Sequence, residues 1–233
     1  MATQKLDHVG QLSQGNPSGR KLTSMIKFIA SEGGLIVSDA SPPSALRSDA
    51  RRNVDRIRVA ATTVFRERGL SAPLEEIAAV ANVSKATIFN RLGGRVGLID
   101  AVLDDVVAAE MSAVIDEARS VTGVRERIRW YVRAIRDLQY RVPAVNDVLL
   151  QEYPDSKPLV ALCRVGGEFH DTLVEQGHAV GVLVDGFTSG DFQALTHNNA
   201  LALKHGELPP RADYDRRTEF VIAGICRPTG AEG

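Results

Sequence analysis

From about residue 50 onward, apolar side chains recur at spacings of three and four, a period that predicts helices throughout and an all-α fold. Val54, Ile57, Ala61, Val64 and Phe65 mark one face of a helix that closes on Gly69, where a left-handed cap residue is wanted. A short helix is expected to begin at Pro73, with Ile77 and Ala78 inward, although Ala72 before it offers no capping hydroxyl. Asn82, a residue that tolerates positive φ, and an inward Val83 make a tight turn. Ser84 then caps a helix over roughly 84–91, with Ile88 inward and Lys85, Thr87, Asn90 and Arg91 outward. Two short helices joined in this way have the layout of a helix-turn-helix, favoured over the alternative of an ordinary helical hairpin with a solvated polar face.

The pattern continues after Gly93-Gly94 in a long helix over 94–119, apolar at 98, 99, 102, 103, 106, 107, 111, 114 and 115 and broken by Gly123. Residues 124–141 place Val124, Ile128, Tyr131, Ile135 and Leu138 on one face. Arg125, Arg129, Arg133 and Arg136 fall mostly on the other, read as a solvated face rather than a second DNA-binding stripe. Pro143 opens a short helix ending before Pro154, and another runs over 157–177 with Leu159, Leu162, Phe169 and Leu173 inward. Thr188 and Asp191 are spaced as a capping box ahead of two final helices, expected over 189–204 and 213–226. Residues 1–48 lack such periodicity and read as a disordered, dispensable extension, with Met25 as an alternative start. The expected division is 1–48 extension, 49–97 DNA-binding head and 98–228 helical body.

Composition changes this picture little. The chain has 233 residues, 44% hydrophobic and 24% charged, ordinary for a globular protein with a substantial core. Its formal net charge of −1 is unevenly spread. Residues 44–100 carry ten Lys+Arg against six Asp+Glu, +4, which leaves −5 on the remainder, a basic module on an acidic body. Cys163 and Cys226 are far apart and lack metal spacing, as expected of reduced thiols in a cytoplasmic protein. No apolar run is long enough for a membrane span, and residues 21–37 make a poor signal sequence.

Residues 51–103 resemble the DNA-binding domain of the tetracycline-repressor (TetR) family. The matching residues are Ile57, Ala60-Ala61, Phe65, Gly69, Glu76-Ile77-Ala78, Val83 through Phe89, Arg95 and Leu98. The chain departs from the family pattern at Asn82 for glycine, Phe89 for a phosphate-reaching tyrosine, Leu92 for phenylalanine, Arg95 for lysine and Val96 for glutamate. The resemblance implies a homodimer that binds a palindromic DNA operator and responds to a small-molecule effector, acting as a repressor. Lys85, Arg91 and Arg95 would hold phosphates and Ala86, Thr87 and Asn90 would face base edges, with Ser84 and Phe89 in the same interface. Trp130, Tyr131, Tyr140, Tyr153, Phe169 and His170 would line an effector pocket, although residues of these types are more often core than ligand contacts. Phe192, Leu195, Phe220, Val221, Gly224 and Ile225 would form the dimer interface.

Gly93-Gly94 ahead of Arg95 fits a phosphate site at a helix N-terminus or a plain helix corner. Glu168, His170 and Asp171, with Cys163 on the same helix, have the residue types of a metal or acid–base site but no ligand spacing. No catalytic residue, metal or cofactor is expected. Two alternatives stay open: a regulator of this fold that takes no ligand or acts as an activator, and a helical enzyme carrying a helix-turn-helix-like hairpin.

Overall fold

The computed structural model of the protein describes residues 44–228. They form α1 (Ser44–Arg68), α2 (Leu74–Val80), α3 (Lys85–Leu92), α4 (Gly94–Leu103), a π-helical turn (Asp104–Ala108), α5 (Ala109–Ser120), α6 (Val124–Arg141), α7 (Pro143–Leu149), α8 (Lys157–Ala179), α9 (Ser189–His205) and α10 (Arg211–Ile225). The architecture is all-α. Among the described residues the sole β feature is an isolated antiparallel bridge between Leu183 and Cys226, and no helix is long and apolar enough to cross a membrane.

Several boundaries move from their expected places. The first helix opens at Ser44, inside the segment read as a disordered extension; the rest of that segment, residues 1–43, lies outside the described residues. Pro73 is the cap before α2 rather than its first residue. The long helix stops at Ser120, where Val121 turns extended, and Gly123 (φ 83°) instead opens α6. The Thr188–Asp191 capping box forms in full, each side chain accepting from the other residue's backbone N–H.

The long helix is interrupted by the π turn, which periodicity does not reveal because the apolar face runs through it. A π turn leaves backbone carbonyls without their usual partners. Here Arg66 of α1 donates to Asp105 O (2.8 Å) and Val106 O (3.4 Å), and pairs with Glu110.

Two apolar clusters fill the interior. The first runs from Ile57, Ala61 and Phe65 of α1 through Ile77 and Ile88 to Leu98, Ile99 and Val102 of α4, and on to Val145 and Val148 of α7. The second gathers Ile115, Ile128, Tyr131, Phe169, Leu173, Leu183, Phe192 and Ile222. Between α6, α7, α9 and α10 lies a buried amide network. Gln139 donates to Thr196 O (2.9 Å), and Asn199 donates to Gln139 Oε1 (2.9 Å) and Tyr214 Oη (2.8 Å). The Tyr214 hydroxyl donates in turn to Arg136 O (2.8 Å).

The arginine stripe of α6 is not a solvated face. It is the bed of the last helix. Arg133 makes a bidentate pair with Glu219 (2.7 and 2.8 Å), Arg136 donates to Thr218 (2.9 Å) with its guanidinium 4.9 Å from the Tyr214 ring centre, and Arg125 donates to Arg227 O (2.6 Å). A planar, forked cation suits such docking, because its stem packs while its donors reach carboxylates and hydroxyls.

In the second cluster, the Tyr131 hydroxyl lies 2.8 Å from His170 Nε2. Burial pushes the tyrosine up and holds His170 down at about 4, against the pull of Asp171. The ring is therefore neutral, and the hydroxyl and the imidazole nitrogen share one hydrogen bond. Because the unfolded chain's histidine titrates near 6.5, unfolding takes up a proton between about pH 6.5 and 4, and stability falls as pH drops through that window by about 3 kcal/mol in total. His170→Gln is expected to flatten the fall of melting temperature across this window; equal slopes in the two proteins would refute a neutral, buried His170.

Candidate nucleic-acid interface

The turn between α2 and α3 is built on Asn82, whose φ of 51° reverses the chain, and on Ser84, whose hydroxyl accepts from Thr87 N at 3.1 Å. Such a cap contributes about 1 kcal/mol. Ile88 is fully buried, so the helix is pinned by one side and presents the other. Lys85, Ala86, Phe89, Asn90 and Arg91 are exposed there and Thr87 is half-buried. They form one surface of α3, as expected from sequence.

Their partners refine the expected roles. Lys85 pairs with Glu75 of α2 at 2.5 Å, a contact that holds the Glu75 carboxyl below its usual range. The Thr87 hydroxyl is engaged with Ser84 (2.8 Å). Asn90 and Arg91 make no side-chain hydrogen bond or ion pair among the described residues, which leaves their polar groups available to a partner.

Arg95 meets a partner within the chain that the sequence did not announce. It is half-buried and donates to Leu70 O at 2.6 Å, bracing the α1–α2 turn from inside the head. The glycine corner has a matching explanation. Gly93 and Gly94 both sit at positive φ (74° and 83°), and a Cβ on Gly94 would fall 2.8 Å from the Phe89 ring. The corner is thus a seat for that ring, which is still 51% exposed on the outer side.

The body holds a cavity of about 230 Å³ between α5, α6, α8 and α9. Met111, Ile115, Ile135 and Leu162 give it an apolar wall, and Tyr131, His170, Asp171, Gln193 and Thr196 a polar one. Of the six aromatics expected to line a pocket, Tyr131 and His170 do so. Tyr153 lines an adjoining space of about 300 Å³ that shares Gln151, Cys163 and Gln193. Phe169 packs edge-on against Tyr131 (5.0 Å between centres) in the core. Tyr140 packs at a tilt against Tyr214 (4.9 Å) and donates to Pro209 O, and Trp130 borders a surface groove beside α10. Most of the other lining residues carried no sequence signal. Gly166-Gly167 did: a glycine pair inside an amphipathic helix, where a Cβ would meet nothing within 4 Å, marks open space rather than tight packing. Cys163 and Cys226 are free thiols, both raised by burial.

The residues expected to form a dimer interface separate into two groups. Phe192 and Ile225 belong to the second core and are buried within the chain itself. Leu195 and Val221 are half-buried against that core. Phe220 is 66% exposed, and Gly224 beside it is open. Leu201 of α9 and Leu208 between the last two helices are also exposed apolar residues.

No protein-family model matches the chain, and no curated protein matches it by sequence. Solved structures do. A TetR-family transcriptional regulator from Agrobacterium tumefaciens is 20% identical over 76% of this chain and all of its own, with a TM-score of 0.56. The ketosteroid transcriptional regulator KstR2 of Mycobacterium tuberculosis is 15% identical over 76% of this chain and 96% of its own (TM-score 0.55). NalD, the secondary repressor of the MexAB-OprM multidrug efflux pump in Pseudomonas aeruginosa, is 20% identical over 77% and 98% (TM-score 0.53). With its helix-turn-helix head and helical body, this chain has the fold of the TetR-family transcriptional regulators.

Proposed function

We propose that the protein is a DNA-binding transcriptional repressor that acts as a homodimer on a palindromic operator and releases it when a small molecule enters the body cavity. The observation that carries this reading is the exposed face of α3, where Asn90 and Arg91 stand with unengaged polar groups on a helix anchored by Ser84 and Ile88. An asparagine amide can pair with adenine, a guanidinium can hold phosphate, and small apolar side chains such as Ala86 suit thymine methyls. The same features favour a regulator over a helical enzyme. The cavity's neutral Tyr131–His170 pair and its apolar wall suit an uncharged amphipathic effector with a hydroxyl or carbonyl group.

One recognition helix reads too few base pairs for useful selectivity, so two must sit about 34–36 Å apart on one face of the duplex. The exposed Phe220, Leu201 and Leu208 supply apolar surface for self-association.

Selection of duplexes from a random pool is expected to return a palindrome. On that site Asn90→Ala should cost about 1–3 kcal/mol and relax the preference at one position, whereas Arg91→Ala should weaken all sequences alike and reduce the salt slope by about one. An unchanged affinity in both variants would remove the assignment. Self-association is tested at position 220, because a charge at Val221 would strike the chain's own core. Phe220→Glu should give monomers in light scattering that keep the helical circular-dichroism signal of the wild type. A wild-type monomer at micromolar concentration, or a dimeric Phe220→Glu, would refute the interface.

A further inference from the structure

Beside the apolar contact between head and body lies one buried carboxylate. Asp147 lies on α7 with a side chain only 2% exposed. One oxygen accepts from the backbone N–H of Leu70 in the α1–α2 turn, and the other pairs with Lys204 in the last turn of α9. Gly69, at φ 84°, presses so close that a Cβ there would lie 2.5 Å from the same carboxylate. The Leu70 peptide is held from both ends, since its carbonyl accepts from Arg95 at the start of α4. Lys204 also pairs with Glu152.

Both helices that meet at this carboxylate also line the cavities. Gln193 and Thr196 of α9 line the 230 Å³ cavity, and Thr196 precedes Lys204 by two helical turns, about 12 Å along a rigid rod. Asp147 and Glu152 themselves face the adjoining space. A shift of α9 or α7 therefore moves the counter-ion or the carboxylate directly.

We propose that Asp147 is a positioning residue for the DNA-binding head: its carboxylate, with Lys204 as counter-ion, fixes the α1–α2 turn and the Arg95 brace relative to the cavity-lining helices. The inference rests on the DNA-binding reading above. A buried carboxylate that loses its only cation is poorly tolerated, so displacement of Lys204 releases the turn, whereas removal of both charges together is mild for folding. Release leaves the head folded on its apolar contacts but freer in orientation, which relaxes the spacing between the two recognition helices of a dimer.

The test uses the full chain in four forms: wild type, Lys204→Gln, Lys204→Arg, and the doubly neutral Asp147→Ala/Lys204→Met, which keeps the experiment informative if the single variant unfolds. Exchange of the Leu70 amide is expected to accelerate on the order of tenfold in Lys204→Gln and in the double variant, with Lys204→Arg close to wild type and amides in the middle of α8 unaffected. On the duplex selected by the wild type, insertion of one base pair between the half-sites should cost the wild type several-fold more affinity than it costs the released variants. Unchanged Leu70 exchange in both released variants overturns the proposal. Faster exchange with an unchanged insertion penalty also overturns it, because Asp147 would then be structural only. A wild type that selects no duplex at all instead overturns the DNA-binding reading, and the positioning role falls with it.

Discussion

Ile57, Ala61 and Phe65 of α1 share one unbroken apolar cluster with Leu98, Ile99 and Val102 of α4 and with Val145 and Val148 of α7. The three helices of the head are too few to enclose a core of their own, since small units bury too little of their surface. They complete it by borrowing from the first part of the long helix and from α7. Everything that the head presents outward, including α3, is therefore referred to the body through this cluster. Polar ties stand at its margin, Arg66 to the π turn and Leu70 to Asp147.

The body solves a different problem. Its second cluster must hold a cavity open while staying folded. The apolar wall alone would close on empty space, because an unfilled void forfeits dispersion contacts. Tyr131 and His170 bond one another in the cavity wall, and behind it Gln139 bonds Thr196 and Asn199, so that hydrogen bonds as well as packing link the helices around the space. The arginine stripe on the far side of α6 anchors α10 and leaves Phe220 outward. One helix thus serves three surfaces: cavity, amide network and bed for the last helix.

Local rules made most elements legible in the sequence. Helical period placed Ile57, Phe65, Ile128 and Leu173 in the interior, and capping chemistry placed Ser84 and Thr188 at helix starts, because both depend on neighbours within about one turn. The positive φ at Asn82 and Gly69 follows from which residues accept that region of backbone space. Part of the outward set on α3 was legible for the same reason: once Ile88 points in, Asn90, two residues on, must point out.

What the sequence could not decide is which partner each polar side chain meets. Arg95 reads as a phosphate ligand, and only the fold shows that it also reaches Leu70 O, 25 positions away in sequence. The arginines of α6 read as solvated until α10 lies on them, and Phe192 and Ile225 read as interface until the chain buries them itself. Asp147 gives no sign of its role, since its partners Leu70 and Lys204 lie 77 and 57 positions away. Periodicity reports which face of a helix is apolar, and caps report where it starts. Only the packed chain decides what stands opposite that face, because contacts between distant segments are set by the shared core and not by any local preference of the residues that make them.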